Sequence, residues 1–151
     1  MKYILLSVTI LLMGVTSTFA QDKKEKSDKP TTAAEAAFVK TFPGATKVKW
    51  EKEAGDYEVS FKSGKKEMSA VFSAAGNLKE SEEEIEATLF PAAATAYIKE
   101  HYKGAKIKET AKITKSNGEV NYEAEVNDTD LIFDKDGKFI KAEKEKDKDK
   151  E

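Results

Sequence analysis

Two stretches of the chain carry the same order of apolar and polar positions: VFSAAGNLKESE at residues 71–82 and IFDKDGKFIKAE at residues 132–143. Each runs apolar, Phe, three residues, Gly, one residue, apolar. The likeness continues upstream. AFVKTFPGATKVKW (Ala37–Trp50) matches AYIKEHYKGAKIKE (Ala96–Glu109) with a slip of one residue, and DYEVSF (Asp56–Phe61) matches NYEAEV (Asn121–Val126). The order of segments is kept while the turns differ in length, as in a tandem duplication.

Each copy opens on a helical period. Ala34, Ala37, Phe38 and Thr41 recur at helical spacing, as do Ala94, Tyr97, Ile98 and His101. Thr31 and Thr32 are placed to cap the first helix, and Pro91 suits the first turn of the second. The period then changes to two. Val48 and Trp50 alternate with Lys47, Lys49 and Glu51; Tyr57, Val59 and Phe61 alternate with Glu58, Ser60 and Lys62; Met68, Ala70 and Phe72 continue the series. In the second copy Ile107 and Ile113 begin it, followed by Tyr122, Ala124 and Val126, then Leu131 and Phe133. Such alternation marks antiparallel strands with one buried face. The fold class is therefore α+β: a tandem repeat of one helix followed by a four-stranded antiparallel sheet. Whether the two sheets join is open. A unit of this size is marginal alone, and two packed together bury more.

Composition sets the surroundings. Lys2, the apolar run YILLSVTILLMGV and the small residues Thr18 and Ala20, at the −3 and −1 positions of a cleavage site, have the layout of a secretory signal peptide over residues 1–20. A span needs about 20 apolar residues, more than this run supplies, so no membrane insertion is expected after cleavage. The 131 residues after Ala20 hold 25 bases and 28 acids, a balance that argues against nucleic acid as a partner. There is no Cys, hence no disulfide, no thiolate chemistry and no lipid-anchor site. The expected order is a signal peptide, a charged linker over 21–30, a domain over 31–143 split into repeats 31–86 and 87–143, and a charged tail over 144–151. The alternating charges from Lys141 onward read as unfolded.

The run from Phe42 through Ile107 resembles the PepSY-like, beta-lactamase-inhibitor-like family of bacterial periplasmic proteins. The features are Trp50 after the first helix, the strand pattern Gly55, Tyr57, Val59 and Phe61, the turn Phe72/Gly76, and Leu89/Pro91 before the second helix. The resemblance covers roughly residues 33–143 and implies a repeated helix-plus-four-strand fold in the periplasm. It supplies no catalytic residues. The second copy departs from the pattern, with Glu109 near the place of Trp50 and Ala124 in that of Val59.

Groups for turnover are scarce. His101 is the one histidine, on the expected inner side of the second helix, where a packed residue is commoner than a catalyst. With Gly137 at position six of a calcium loop, Asp134 and Asp136 take positions three and five, and Glu143 takes position twelve. Position one is then Ile132, which has no oxygen ligand, so this segment reads as a hairpin turn. The five acids between Glu80 and Glu86 read as a solvated strand face guarding an edge, or as a lure for a cation or basic partner. No enzyme activity, cofactor or metal is expected.

The remaining signal lies on the other side of the strands. Val71 and Ile132 point opposite to Phe72 and Phe133, and Ile140 is assigned outward as well. Lys49, Glu58, Ser60, Lys62, Lys108, Glu123 and Glu125 would surround them. An apolar centre with a charged rim suits protein binding; packing against the other unit's sheet would also account for it. The sequence points to a non-enzymatic periplasmic protein that engages a protein or peptide through this face, with inhibition of an envelope hydrolase as one version. The alternatives are a small-molecule or cell-wall-fragment carrier with a cleft between repeats, or an envelope structural protein without a specific ligand.

Overall fold

The computed structural model describes residues 29–144. The expected signal peptide, the linker up to residue 28 and the tail beyond residue 144 lie outside the described residues. The first unit consists of α1 (Thr32–Thr41), β1 (Thr46–Glu53), β2 (Asp56–Ser63), β3 (Lys66–Phe72) and β4 (Leu78–Glu84). A 3-10 turn (Ala87–Leu89) leads to the second unit: α2 (Ala92–His101), β5 (Ile107–Lys115), β6 (Val120–Val126), β7 (Thr129–Asp134) and β8 (Phe139–Lys144). Each strand pairs antiparallel with the next, giving one eight-stranded sheet in the order β1 to β8. The units join through backbone pairing of β4 with β5, from Glu80↔Lys115 to Glu84↔Ala111. The two expected sheets are one.

Both helices lie on the same face of this sheet. Ala34 and Phe38 of α1 cover Tyr57, Val59, Phe61, Ala70 and Phe72. Ala94 and Ile98 of α2 cover Ala124, Val126, Leu131 and Phe133. These are the inward positions of the period-two series, and each fully buried large side chain contributes about 1.5–3 kcal/mol. Aromatic contacts order the packing. The Phe38 ring meets Phe61 edge-on at 5.0 Å, and Tyr97 stacks on Phe139 at 4.8 Å. Trp50 packs into the first core.

The repeated Phe–Gly turn has a packing cause. An added Cβ on Gly76 would lie 2.6 Å from the Ala33 carbonyl oxygen, and one on Gly137 would lie 2.8 Å from the Ala94 amide nitrogen. Both turns press against the first turn of their unit's helix, in a left-handed conformation that only Gly adopts without strain. Thr31 clamps the first of these junctions: its Oγ1 accepts from the Ala34 amide (3.1 Å) and donates to the Ala74 carbonyl (2.8 Å). In the second, the Asp134 carboxylate accepts from the Asp136 and Lys138 amides, both at 2.9 Å. DKDGK is thus a hairpin turn between two paired strands, as expected.

Several expectations need correction. β8 runs to Lys144, whose partner is Thr129, so Lys141–Lys144 is strand and not tail; ladder bonds need no apolar side chains. Val48 falls in a bulge between Thr46 and Lys49 and is 43% exposed, so it does not share the inward place of Trp50. His101 is exposed at the end of α2 and lies against the Tyr97 ring at 4.1 Å. Thr41 is likewise exposed, and Phe42 packs into the core instead. By register, the counterpart of Trp50 is Thr110 and not Glu109, since Trp50 faces Val59 and Thr110 faces Ala124. Thr110 is buried and donates through Oγ1 to the Ile85 carbonyl at 2.8 Å, bracing the link between the units.

The uncovered face of the sheet

Among the described residues no helix covers the other face of the sheet. Its central row runs across seven strands through Lys49, Ser60, Ser69, Glu82, Ile113, Asn121 and Asp134. A flanking row pairs Glu58 with Val71, and Val71 with Glu80. Another pairs Glu84 with Ala111, Ala111 with Glu123, Glu123 with Ile132, and Ile132 with Lys141. The row nearest the α2 C-terminal end is acidic throughout: Glu109, Glu125, Asp130 and Glu143.

Val71 and Ile132 therefore do share this face, in the register the alternation predicts, with Glu58, Ser60, Glu123 and Glu125 near them and Lys62 farther along β2, opposite Glu67. Lys49 lies toward the β1 edge. Ile140 stands apart. The register passes from Phe133↔Phe139 to Ile132↔Lys141, leaving Ile140 in the bulge and 48% exposed. Lys108 sits in a matching bulge of β5 and forms ion pairs with Glu125, at 2.6 Å, and with Asp128. Those two acceptors, Asp128 foremost, raise the Lys108 pKa above its ordinary value.

The centre differs from the expected apolar patch. Ile132 is only 5% exposed, and it clusters with Ile113, with Val71 packed against the pair. The period-two series puts Ile113 on the inner side, but the bulge at Lys108 reverses the parity of β5 after Ile107, turning Ile113 onto this face. The cluster bridges the two units, because Val71 belongs to the first and the isoleucines to the second.

Buried acids surround it. Glu58, Glu82, Glu123, Glu125 and Asp130 are all buried. The run from Glu80 is accordingly neither a solvated face nor an edge guard: β4 is paired on both sides, and Glu82 is 1% exposed. Both Glu82 carboxylate oxygens are buried without a hydrogen-bond partner. Burial pushes the Glu82 pKa well above the carboxylate range, and the charges of Glu123, Glu58, Asp130 and Glu80 push it further. Glu123 is raised likewise, by burial first and Asp130 next. Glu80 is raised by burial, with Lys115 opposing. Sequence reasoning missed Glu82, Ile113 and Asp130 as members of one site, since their meeting depends on the β4–β5 pairing. These carboxylates do not converge into a metal-binding group among the described residues.

The family model described as "Putative beta-lactamase-inhibitor-like, PepSY-like" matches residues 55–141. The chain belongs to this family. Solved structures agree in fold. A "BLIP-like protein" from Bacteroides fragilis superposes with a TM-score of 0.63 at 23% identity, covering 80% of this chain and 90% of its own. A "putative periplasmic" protein from Bacteroides eggerthii gives 0.68 at 11% identity, covering 76% and 88%. A DUF2874 family protein from Bacteroides uniformis gives 0.66 at 16% identity, with the same coverage. At these identities the likeness concerns the fold alone. No curated protein matches the chain. No helix among the described residues is long and apolar enough to cross a membrane.

Proposed function

We propose that the protein is a non-enzymatic periplasmic binder that engages a protein or peptide through the uncovered sheet face. The observation that carries this reading is the joining of Val71, Ile113 and Ile132 from both units into one apolar cluster among buried carboxylates, on the side away from the helices. Packing of one unit's sheet on the other does not account for the cluster, because the units meet strand to strand through β4 and β5. That junction also favours a binding face over a carrier's cleft between two separate halves. The inhibitor-like family, the signal-peptide layout at the N-terminus and relatives described as "putative periplasmic" support the place and the class of activity. Inhibition of an envelope hydrolase is the version that the family suggests. Burial of Ile132 makes a charge there a poor probe, since it would disturb folding. Photo-crosslinking avoids this. A benzophenone side chain at Val71 should give discrete protein adducts in envelope extract, and one at Val39, exposed on α1, should give none. Adducts at Val39 with none at Val71 would overturn the choice of face.

A further inference from the structure

The same face carries a feature that general protein binding does not explain. A carboxyl group buried among apolar groups without a partner costs about 1–3 kcal/mol even when neutral and far more when ionised, and buried polar groups in folded proteins are nearly always paired. Glu82 is 1% exposed with neither oxygen paired, and Glu80 Oε1 beside it is also without a partner. Glu82 lies in the middle of the sheet, facing Ser69 on one side and Ile113 on the other. Neither residue brings a charge to it, and the nearby ionised groups that act on it are all acids. Among the described residues no cation pairs with Glu82, although Lys115 and Lys141 act on Glu80 beside it.

We propose that this face seats an arginine of a partner protein, which displaces the side chains lying over the buried Glu82 carboxylate, sets its guanidinium on that carboxylate and lays its stem along Val71, Ile113 and Ile132. This rests on the proposed protein-binding face and adds the chemistry of its central contact. Charge complementarity selects a basic partner. The guanidinium suits the place better than an ammonium. It donates two parallel hydrogen bonds to one carboxylate and is more weakly hydrated, so it loses less on entering an apolar surround. Its three-carbon stem is apolar and matches the branched side chains that flank the acid. Glu58 and Glu123, both buried beside this centre, add to the negative field around the bound cation.

The test uses the whole protein and a blocked tripeptide, Ala-Arg-Ala, followed by NMR at pH 8. The expected result is saturable shifts centred on Ser69, Glu82, Ile113 and Ile132. Glu82→Gln should weaken binding at least about tenfold, which corresponds to loss of one charge-assisted pair. The same peptide with citrulline in place of arginine, equal in shape but neutral, should not bind, and a lysine peptide should bind more weakly. Shifts spread over exposed acids and unchanged in Glu82→Gln would overturn the proposal. So would equal binding of the citrulline or lysine peptide, or the same central shifts produced by calcium alone. If Val71 crosslinks a partner whose capture Glu82→Gln leaves intact, the arginine contact fails while the binding face stands.

Discussion

Glu82 and Ile113 stand opposite one another across the strand pair that joins the two units, a carboxylate against a branched apolar side chain, both buried. The pairing of the two repeats makes this meeting. Each unit alone would leave one of these strands as an edge, and their pairing turned two margins into the middle of one sheet. An acid at such a point lowers the stability of the free molecule, and the proposed arginine contact would account for its presence. Stability given up at a binding site is a common exchange.

The first consequence is a pH dependence opposite to ordinary acid denaturation. Folding raises the pKa of Glu82 and Glu123 above the usual 4.5, so between that value and the raised ones the native state holds more protons than the unfolded chain. Stability contributed by these two groups therefore falls as pH climbs from about 4.5. Glu82→Leu should gain about 1–3 kcal/mol at pH 7 and flatten the profile. Urea unfolding of both proteins between pH 4.5 and 8 checks this, and a less stable variant at pH 7 would contradict it.

The two turn glycines should be unequal to glycines elsewhere. An Ala Cβ at residue 76 or 137 meets helix backbone, whereas one at residue 64 or 118 meets open space with a similar positive φ. Gly76→Ala and Gly137→Ala should each cost about 1–3 kcal/mol more than Gly64→Ala, the added cost being that of overpacking against a fixed helix. Chemical denaturation of these three variants and of Gly118→Ala makes the comparison.

Sharing one sheet should make the units unfold together. Phe133→Ala, in the second core, should cost about 3–5 kcal/mol. Trp50, the one Trp, sits in the first core and reports on the other unit. Its fluorescence midpoint should fall by the full amount seen in circular dichroism. A Trp50 transition left at the parent midpoint would show the units to be independent.

Much of this architecture was legible along the chain. Phe72 and Phe133, Gly76 and Gly137, and the helix positions Phe38 and Ile98 follow from local periods and from the repeat itself. The face was legible in part: Val71 and Ile132 fell on it because the alternation of β3 and β7 is unbroken up to those residues. Ile113 was misplaced because one extra residue at Lys108 reverses a strand's parity, and nothing in the spacing of polar residues announces a bulge. Glu82 was read as solvated because a run of acids has no inward side until its neighbours are known, and its neighbour on β5 is 31 residues away. Long-range pairing is what a period cannot reveal.

The most direct test is the titration of the Glu82 carboxyl itself, followed by carbon NMR on selectively labelled protein with and without the arginine tripeptide. In the free protein the midpoint should lie well above the ordinary 4.5, and the peptide should draw it down, because a bound guanidinium favours the ionised form. A midpoint in the ordinary range, unmoved by the peptide, would mean that the acid is solvated or already paired, and the account of this face would not hold.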